Sequence, residues 1–251
     1  MSLGLIYKNA AHIFDEVEKK TPYLEYPLFQ ETGIVTSAFS TRLGASMGVA
    51  VEDMVLSKQT HTTNVRVVTK EDKGKGVMRE RNYTDVDGMI TNVPGICLVT
   101  SYADCVPLYF VDPVKKAIGL SHSGWRGTVG KIGKNTVQLM QENFGSKPED
   151  LLAAVGPSVC MDCYEVSEDV IEQFKEAFEK KYWEDLFYKK ENGKYQLNLW
   201  KANELIFLES GILPEHMAIT NVCTHCNGKI LYSHRTMGNN RGNLCAFLAL
   251  K

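Results

Sequence analysis

Three residues of this chain carry side chains suited to chemistry and sit where apolar runs give way to loops. His61 interrupts the extended stretch "DMVLSKQTHTTNVRVVT", Cys105 opens "CVPLYFV", and His122 closes "AIGLSH" just before "SGWRG". Strand ends on a rigid scaffold are usual positions for binding and catalytic groups. Three readings compete for the trio. Cys105 and His122 are the makings of a thiol nucleophile and its base. With His61 they form a set of two imidazoles and one thiolate that suits zinc, with a fourth position left for water. The same donors suit copper. A thiol in "ADCVPL" is also at home as a small core residue. Spacing alone does not choose among them.

Other reactive residues cluster less tightly. Trp125 and Arg126 lie between glycines just ahead of a helical pattern. A guanidinium beside the first N–H groups of a helix makes an anion site. The glycine spacing matches neither a Walker loop nor a dinucleotide fingerprint. Arg42 in "FSTRLG" and Arg235 and Arg241 in "SHRTMGNNRGN" also neighbour small residues. The four arginines either converge on an anionic substrate or are scattered surface charges. Cys160 and Cys163 in "CMDC", and Cys223 and Cys226 in "CTHC" around His225, have the spacing of metal knuckles. Neither pair has knuckle glycines on both sides, and "CMDCYEV" runs straight into a helical pattern. Four simple buried thiols therefore rank ahead of a structural zinc. The six histidines, at 12, 61, 122, 216, 225 and 234, are too few for a multicopper oxidase.

The elements that must position these groups follow from periodicity. "GIVTSAFS" (33–40) reads as a strand, and 53–69 as two extended pieces with a polar break at "QTH". "GICLVTS", "VPLYFVD" and "AIGLSHS" read as short buried strands. The charged, glycine-punctuated stretch 72–88 reads as loop. Residues 128–145 have helical apolar spacing with a stop at Gly145. Residues 167–182 form a second amphipathic pattern with Ser167 as N-cap, and 198–211 a third ending at Gly211. "KILYSHR" and "NLCAFLAL" read as late strands. Strands and helices interleave, yet many strands are hairpin-close. The expectation is an α+β fold of mixed sheets covered by helices.

Composition narrows the partners. The chain has 251 residues, 44% of them hydrophobic and 23% charged, with a formal net charge of −2. That is ordinary globular composition, and it gives no reason to expect nucleic acid or a membrane as partner. No apolar run is long enough to span a bilayer. The start "MSLGLIYKNAAHIFDEVEKK" continues as an acidic amphipathic stretch rather than a signal peptide. Seven cysteines, an odd count, point to reduced thiols in a cytoplasm. A monomer or small homo-oligomer is expected.

Taken together, "FSTR", "KQTHTTNV", "DVDGMIT", "YADCVPLYFVDP", "IGLSHSGWRGTVGKI", "VGPSVCMDCYEVSEDV", "NLWKAN" and "SHRTMGNNRGN" stand in an order that closely resembles the laccase-domain, or YfiH-like, family. The resemblance runs from residue 35 to the end, so residues 1–251 are treated as a single domain. It implies an α/β/β/α layered fold, likened to cysteine hydrolases. It implies zinc-dependent phosphorolysis of purine nucleosides (adenosine, inosine, guanosine, methylthioadenosine), with adenosine deamination as a second activity. An older label in the family is copper-dependent polyphenol oxidase. His61, Cys105 and His122 are implied zinc ligands, so that Cys105 and His122 become catalytic through the metal, with Asp104 orienting a ligand and Asp87 a weaker candidate. Gln59, Arg42, Arg126, Arg235 and Arg241 are the implied contacts to nucleoside and phosphate, Arg42 and Arg126 acting as a phosphate clamp. The chain departs from the pattern in three places. A longer stretch after "FSTRLGASMG" is absent, Thr62 replaces a common glycine, and Thr236 replaces a common basic residue. A metal-independent cysteine hydrolase, a single-copper phenol oxidase and a zinc-binding interaction protein are the competing readings.

Overall fold

The strand Val106–Asp112 is buried along its whole length. Leu108 and Phe110 pack into one core while Tyr109 and Val111 pack into another. Side chains alternate faces along a strand, so a continuous apolar run of this kind must lie between two layers. The computed structural model describes residues 15–17, 23–45 and 48–251, and shows those layers. Most of the N-terminal stretch judged unlike a signal peptide lies outside the described residues, as do Ser46 and Met47.

One six-stranded sheet runs Asp15–Val17, Tyr23–Glu25, Val35–Ser40, Leu244–Leu250, Cys97–Tyr102, Met54–Leu56. Its neighbours are antiparallel except the last pair. The other runs Met217–Ile219, Leu152–Val155, Val106–Asp112, Ala117–Ser123, Gly88–Thr91, Val65–Val67, and is parallel only at its two edges. The sheets face each other across a core that includes Phe39, Leu98 and Leu248 from the first and Tyr109, Ile118 and Leu120 from the second. The outer face of the second sheet is covered by Ile132–Phe144, Glu168–Ala177 and Leu199–Glu209, through Val137, Met140, Phe174, Ile206 and Phe207. The expected mixed sheets under helices are present. Gly119 shows how closely they pack. A Cβ there would lie 3.1 Å from Thr136 Cγ2 and 3.2 Å from Met140 Sδ, so a glycine lets the helix rest directly on the strand. No helix among the described residues is long and apolar enough to cross a membrane.

Four sequence expectations change. The helix read across 128–145 is two, Trp125–Val129 and Ile132–Phe144, because Lys131 adopts a left-handed conformation (φ 57°) between them. The second amphipathic helix stops at Ala177, where Phe178 turns extended and buries in the core. Ser167 precedes it in an extended conformation but donates to the Asp169 carboxylate instead of accepting from a helix N–H. "KILYSHR" is not a strand. Ile230 and Leu231 N–H groups both donate to the Asn227 carbonyl, closing turns, and Ser233 caps the short helix His234–Met237.

Candidate active site

The polar break at "QTH" becomes a tight turn wrapped around one carboxylate. Asp87 is fully buried. Its Oδ2 accepts from the Thr60 N–H (3.1 Å), the Thr62 N–H (2.9 Å) and the Thr62 hydroxyl (2.8 Å). Its Oδ1 accepts from the His61 N–H (3.0 Å) and from His122 Nδ1 (2.8 Å). Three successive backbone N–H groups converging on an anion hold His61 in the left-handed region (φ 66°), which a non-glycine residue seldom occupies. Burial pushes the Asp87 carboxyl up, but the bonds from His122 and the Thr60–Thr62 turn outweigh it and hold the pKa at about 2. One carboxylate thus orients the His122 ring and fixes the backbone that carries His61. It takes the Nδ1–H of His122 and leaves Nε2 as that ring's free donor.

Asp104 has a different task. Its Oδ1 accepts from the Thr224 hydroxyl (2.6 Å) and its Oδ2 from the Arg235 N–H (2.8 Å), while its carbonyl accepts from the Val159 N–H (3.0 Å). With φ at 84° it turns the chain directly ahead of Cys105. Asp104 therefore fixes the loop that presents the thiol. The carboxylate that touches an imidazole is Asp87, which the sequence ranked lower because "VDG" reads as a turn.

The three donors meet as the sequence expected. One donor atom each from His61, Cys105 and His122 lies within 4.8 Å of the others, with Cys105 Sγ 4.0 Å from His61 Nε2. The thiol resists burial, but the facing His122 and His61 rings bring its pKa down to about 6. His122 is correspondingly raised to about 9, burial being outweighed by Cys105 and Asp87. Near neutral pH these values describe a thiolate facing a protonated His122, and a metal would take the thiolate and displace the ring proton to bind neutral imidazole. Gly124 supplies an independent test of fit. A Cβ there would stand 3.0 Å from His61 Cδ2 and 3.3 Å from Cys105 Sγ, so the missing side chain keeps the space at the donors clear. The donors suit zinc with an open position.

The trio lines a cavity of about 590 Å³, the size of a small-molecule site. Arg126, Arg235, Arg241 and Gln59 line it too. Arg126 is exposed and stacks on Trp125, with its guanidinium carbon 4.3 Å from the ring centre. Arg235 lies over Tyr164 (4.9 Å) and donates to the Glu165 carbonyl (2.7 Å). Gln59 is committed to the wall, bonded through both ends of its amide to the Ser101 backbone. Arg81, from the loop 72–88, is a lining cation that the sequence offered no reason to select. Arg42 is not among the described residues of this cavity. It donates to the Gly228 carbonyl (2.8 Å) and stacks on Tyr232 beside a separate recess, so the expected Arg42–Arg126 clamp does not form. The five-residue helix after Gly124 is also too short to supply the expected helix-terminus anion site.

A family model described as multi-copper polyphenol oxidoreductase laccase matches residues 35–251. The chain belongs to this laccase family. Its relatives include a purine nucleoside phosphorylase, YlmD, of Bacillus subtilis, 35% identical over 203 residues (80% of this chain, 72% of the relative). Another is an adenosine deaminase, RL5, from an unknown prokaryotic organism, 33% identical over 202 residues (80% and 76%). The crystal structure of Bacillus licheniformis YfiH superposes with a TM-score of 0.87 at 26% identity, covering 96% of this chain and all of that one. Among the described residues of this laccase-family chain, His216, His225 and His234 join no group of three metal donors.

Proposed function

We propose that this chain is a zinc-dependent purine nucleoside phosphorylase. The observation that carries the reading is the meeting of the three-donor group with four guanidinium-bearing residues, Arg81, Arg126, Arg235 and Arg241, around one cavity. That pairing fits a phosphate delivered beside a metal centre. The relatives named as phosphorylases support the substrate class. A zinc ion held by His61, Cys105 and His122 would supply Lewis acidity with one open position. The rest is the work of the chain. Asp87 and Asp104 hold the donors in place. Arg126, exposed and preorganised on Trp125, binds phosphate as a fork. In phosphorolysis an oxygen of that phosphate bonds to the sugar anomeric carbon as the carbon–nitrogen bond to the base breaks, giving ribose 1-phosphate from inosine.

The test is turnover of inosine by the zinc-loaded protein with and without phosphate. Base release that requires phosphate and yields ribose 1-phosphate is expected. Phosphate-independent release overturns the mechanism. Arg126→Ala removes one charge-assisted contact, about 1.5–3 kcal/mol, and should weaken phosphate use by roughly one to two orders of magnitude. The relative named an adenosine deaminase favours a second activity, which would need the metal but not phosphate and should be little changed by Arg126→Ala. All seven cysteines are free, which fits action in a reducing cytoplasm.

A further inference from the structure

The sequence ranked Cys160, Cys163, Cys223 and Cys226 as simple buried thiols. The fold brings all four together, with their Sγ atoms within 4.8 Å of one another. We propose that they form a second metal site, a closed tetrathiolate centre for zinc, which fastens two loops of the cavity wall to each other.

The argument rests on geometry. A zinc ion about 2.3 Å from four tetrahedral sulfurs holds them about 3.8 Å apart, whereas a disulfide needs about 2.05 Å. Cys163 and Cys226 stand 3.6 Å apart, near the first value. Each C-x-x-C segment is closed by a backbone turn. Cys163 N–H donates to the Cys160 carbonyl (3.1 Å) and Asn227 N–H to the Cys223 carbonyl (3.1 Å). They are held side by side by an isolated bridge of Ser158 with Cys223. Two backbone N–H groups already point at one sulfur, from Cys160 (3.3 Å) and Cys226 (3.5 Å) to Cys223 Sγ, the support a metal-bound thiolate uses.

Cys160 and Cys223 are buried in the core, and Cys163 and Cys226 pack at its edge. A cation entering the cluster would displace the thiol protons to solvent and bind the four sulfurs. The ion's consequence lies next door. Tyr164, which follows Cys163, lines the cavity, and Thr224, which follows Cys223, bonds Asp104 ahead of Cys105.

The experiment is metal analysis of the whole protein purified under reducing conditions, followed by cobalt substitution. About two zinc ions per chain are expected, falling to about one in Cys226→Ser and in Cys163→Ser, with a lower melting temperature. Substituted wild-type protein should show the intense sulfur-to-cobalt bands of an all-thiolate tetrahedral site. These should survive in Cys105→Ser, which loses the other ion. The proposal is overturned if wild-type protein holds one ion or fewer with these thiols alkylatable, or carries a Cys163–Cys226 disulfide. It is also overturned if Cys226→Ser keeps both ions. Should the serine variants fail to fold, the wild-type cobalt spectrum decides alone, and absence of the tetrathiolate bands rejects the site.

Discussion

His61, Cys105 and His122 offer a metal two imidazoles and one thiolate on the wall of an open cavity, with a glycine at their side. Cys160, Cys163, Cys223 and Cys226 offer four thiols packed into the helix-side core, two of them buried. The first group borrows its geometry from carboxylates, Asp87 for the His122 ring and the His61 backbone and Asp104 for the loop bearing the thiol. The second borrows from its own backbone, through N–H groups aimed at sulfur. An open site of mixed donors leaves a coordination position for chemistry, whereas a closed site of like donors leaves none and contributes stability. Donor count, three against four, and the polarity of the supporting groups together separate the two.

The sharpest way to break this contrast is His122→Ala. It removes a donor and strands Asp87, so turnover should fall to background while the tetrathiolate cobalt bands persist. Retained zinc and turnover would sink the assignment. Asp87→Asn comes next. A group that orients metal ligands is worth roughly 10- to 100-fold in metal affinity or activity, and here two ligands depend on it. Competition with a chromophoric chelator measures the loss. Gly124→Ala should act no more strongly. Its Cβ crowds His61 and Cys105, and overpacking of about 1–3 kcal/mol lowers metal affinity by at most roughly one to two orders of magnitude and also lowers the melting temperature of metal-free protein.

The smallest effect on either metal belongs to Asp72, which pairs with Arg66 (3.0 Å) and Lys75 (2.7 Å). Burial opposes its ionisation, but Lys75, the Thr69 N–H and Arg66 hold its pKa below the ordinary value. Its stabilising contribution is therefore complete above about pH 3.9 and is lost as pH falls through the depressed value. Asp72→Asn should flatten that part of the acid-unfolding curve and cost about 1–3 kcal/mol, with the metal content of both sites unchanged. A changed metal content would show that the two sites report global stability instead of local geometry.

Much of this was legible in the chain. The two-faced strands announced themselves as uninterrupted apolar runs, and the strand–turn–strand around His61 showed as a polar break between Met54–Leu56 and Val65–Val67. The donor trio was visible as residue types at strand ends, although only the family resemblance raised the metal above its competitors. What escaped has physical causes. The helix break at Lys131 depends on a left-handed residue that no apolar period reports. Asp87 looked like a turn residue because its partners arrive from 25–27 and 35 residues away. The cysteine pairs are 63 residues apart and meet where the Ser158–Cys223 bridge joins their segments. Arg42 neighbours small residues as Arg126 does, but Gly228 and Tyr232 claim its guanidinium.

The strand Leu244–Leu250 lies between Val35–Ser40 and Cys97–Tyr102. During synthesis, therefore, the first sheet stays divided until residues 244–250 have been made. Cys97–Tyr102 leads directly into the loop of Cys105, so that thiol hangs from a strand still lacking its central neighbour. Pairings of such long sequence separation close slowly. The C-x-x-C segments, complete by residue 226, can meet before it arrives. A nascent chain offered zinc would then fill the thiolate centre first and the cavity last, so the order of metal loading is written into the order of translation.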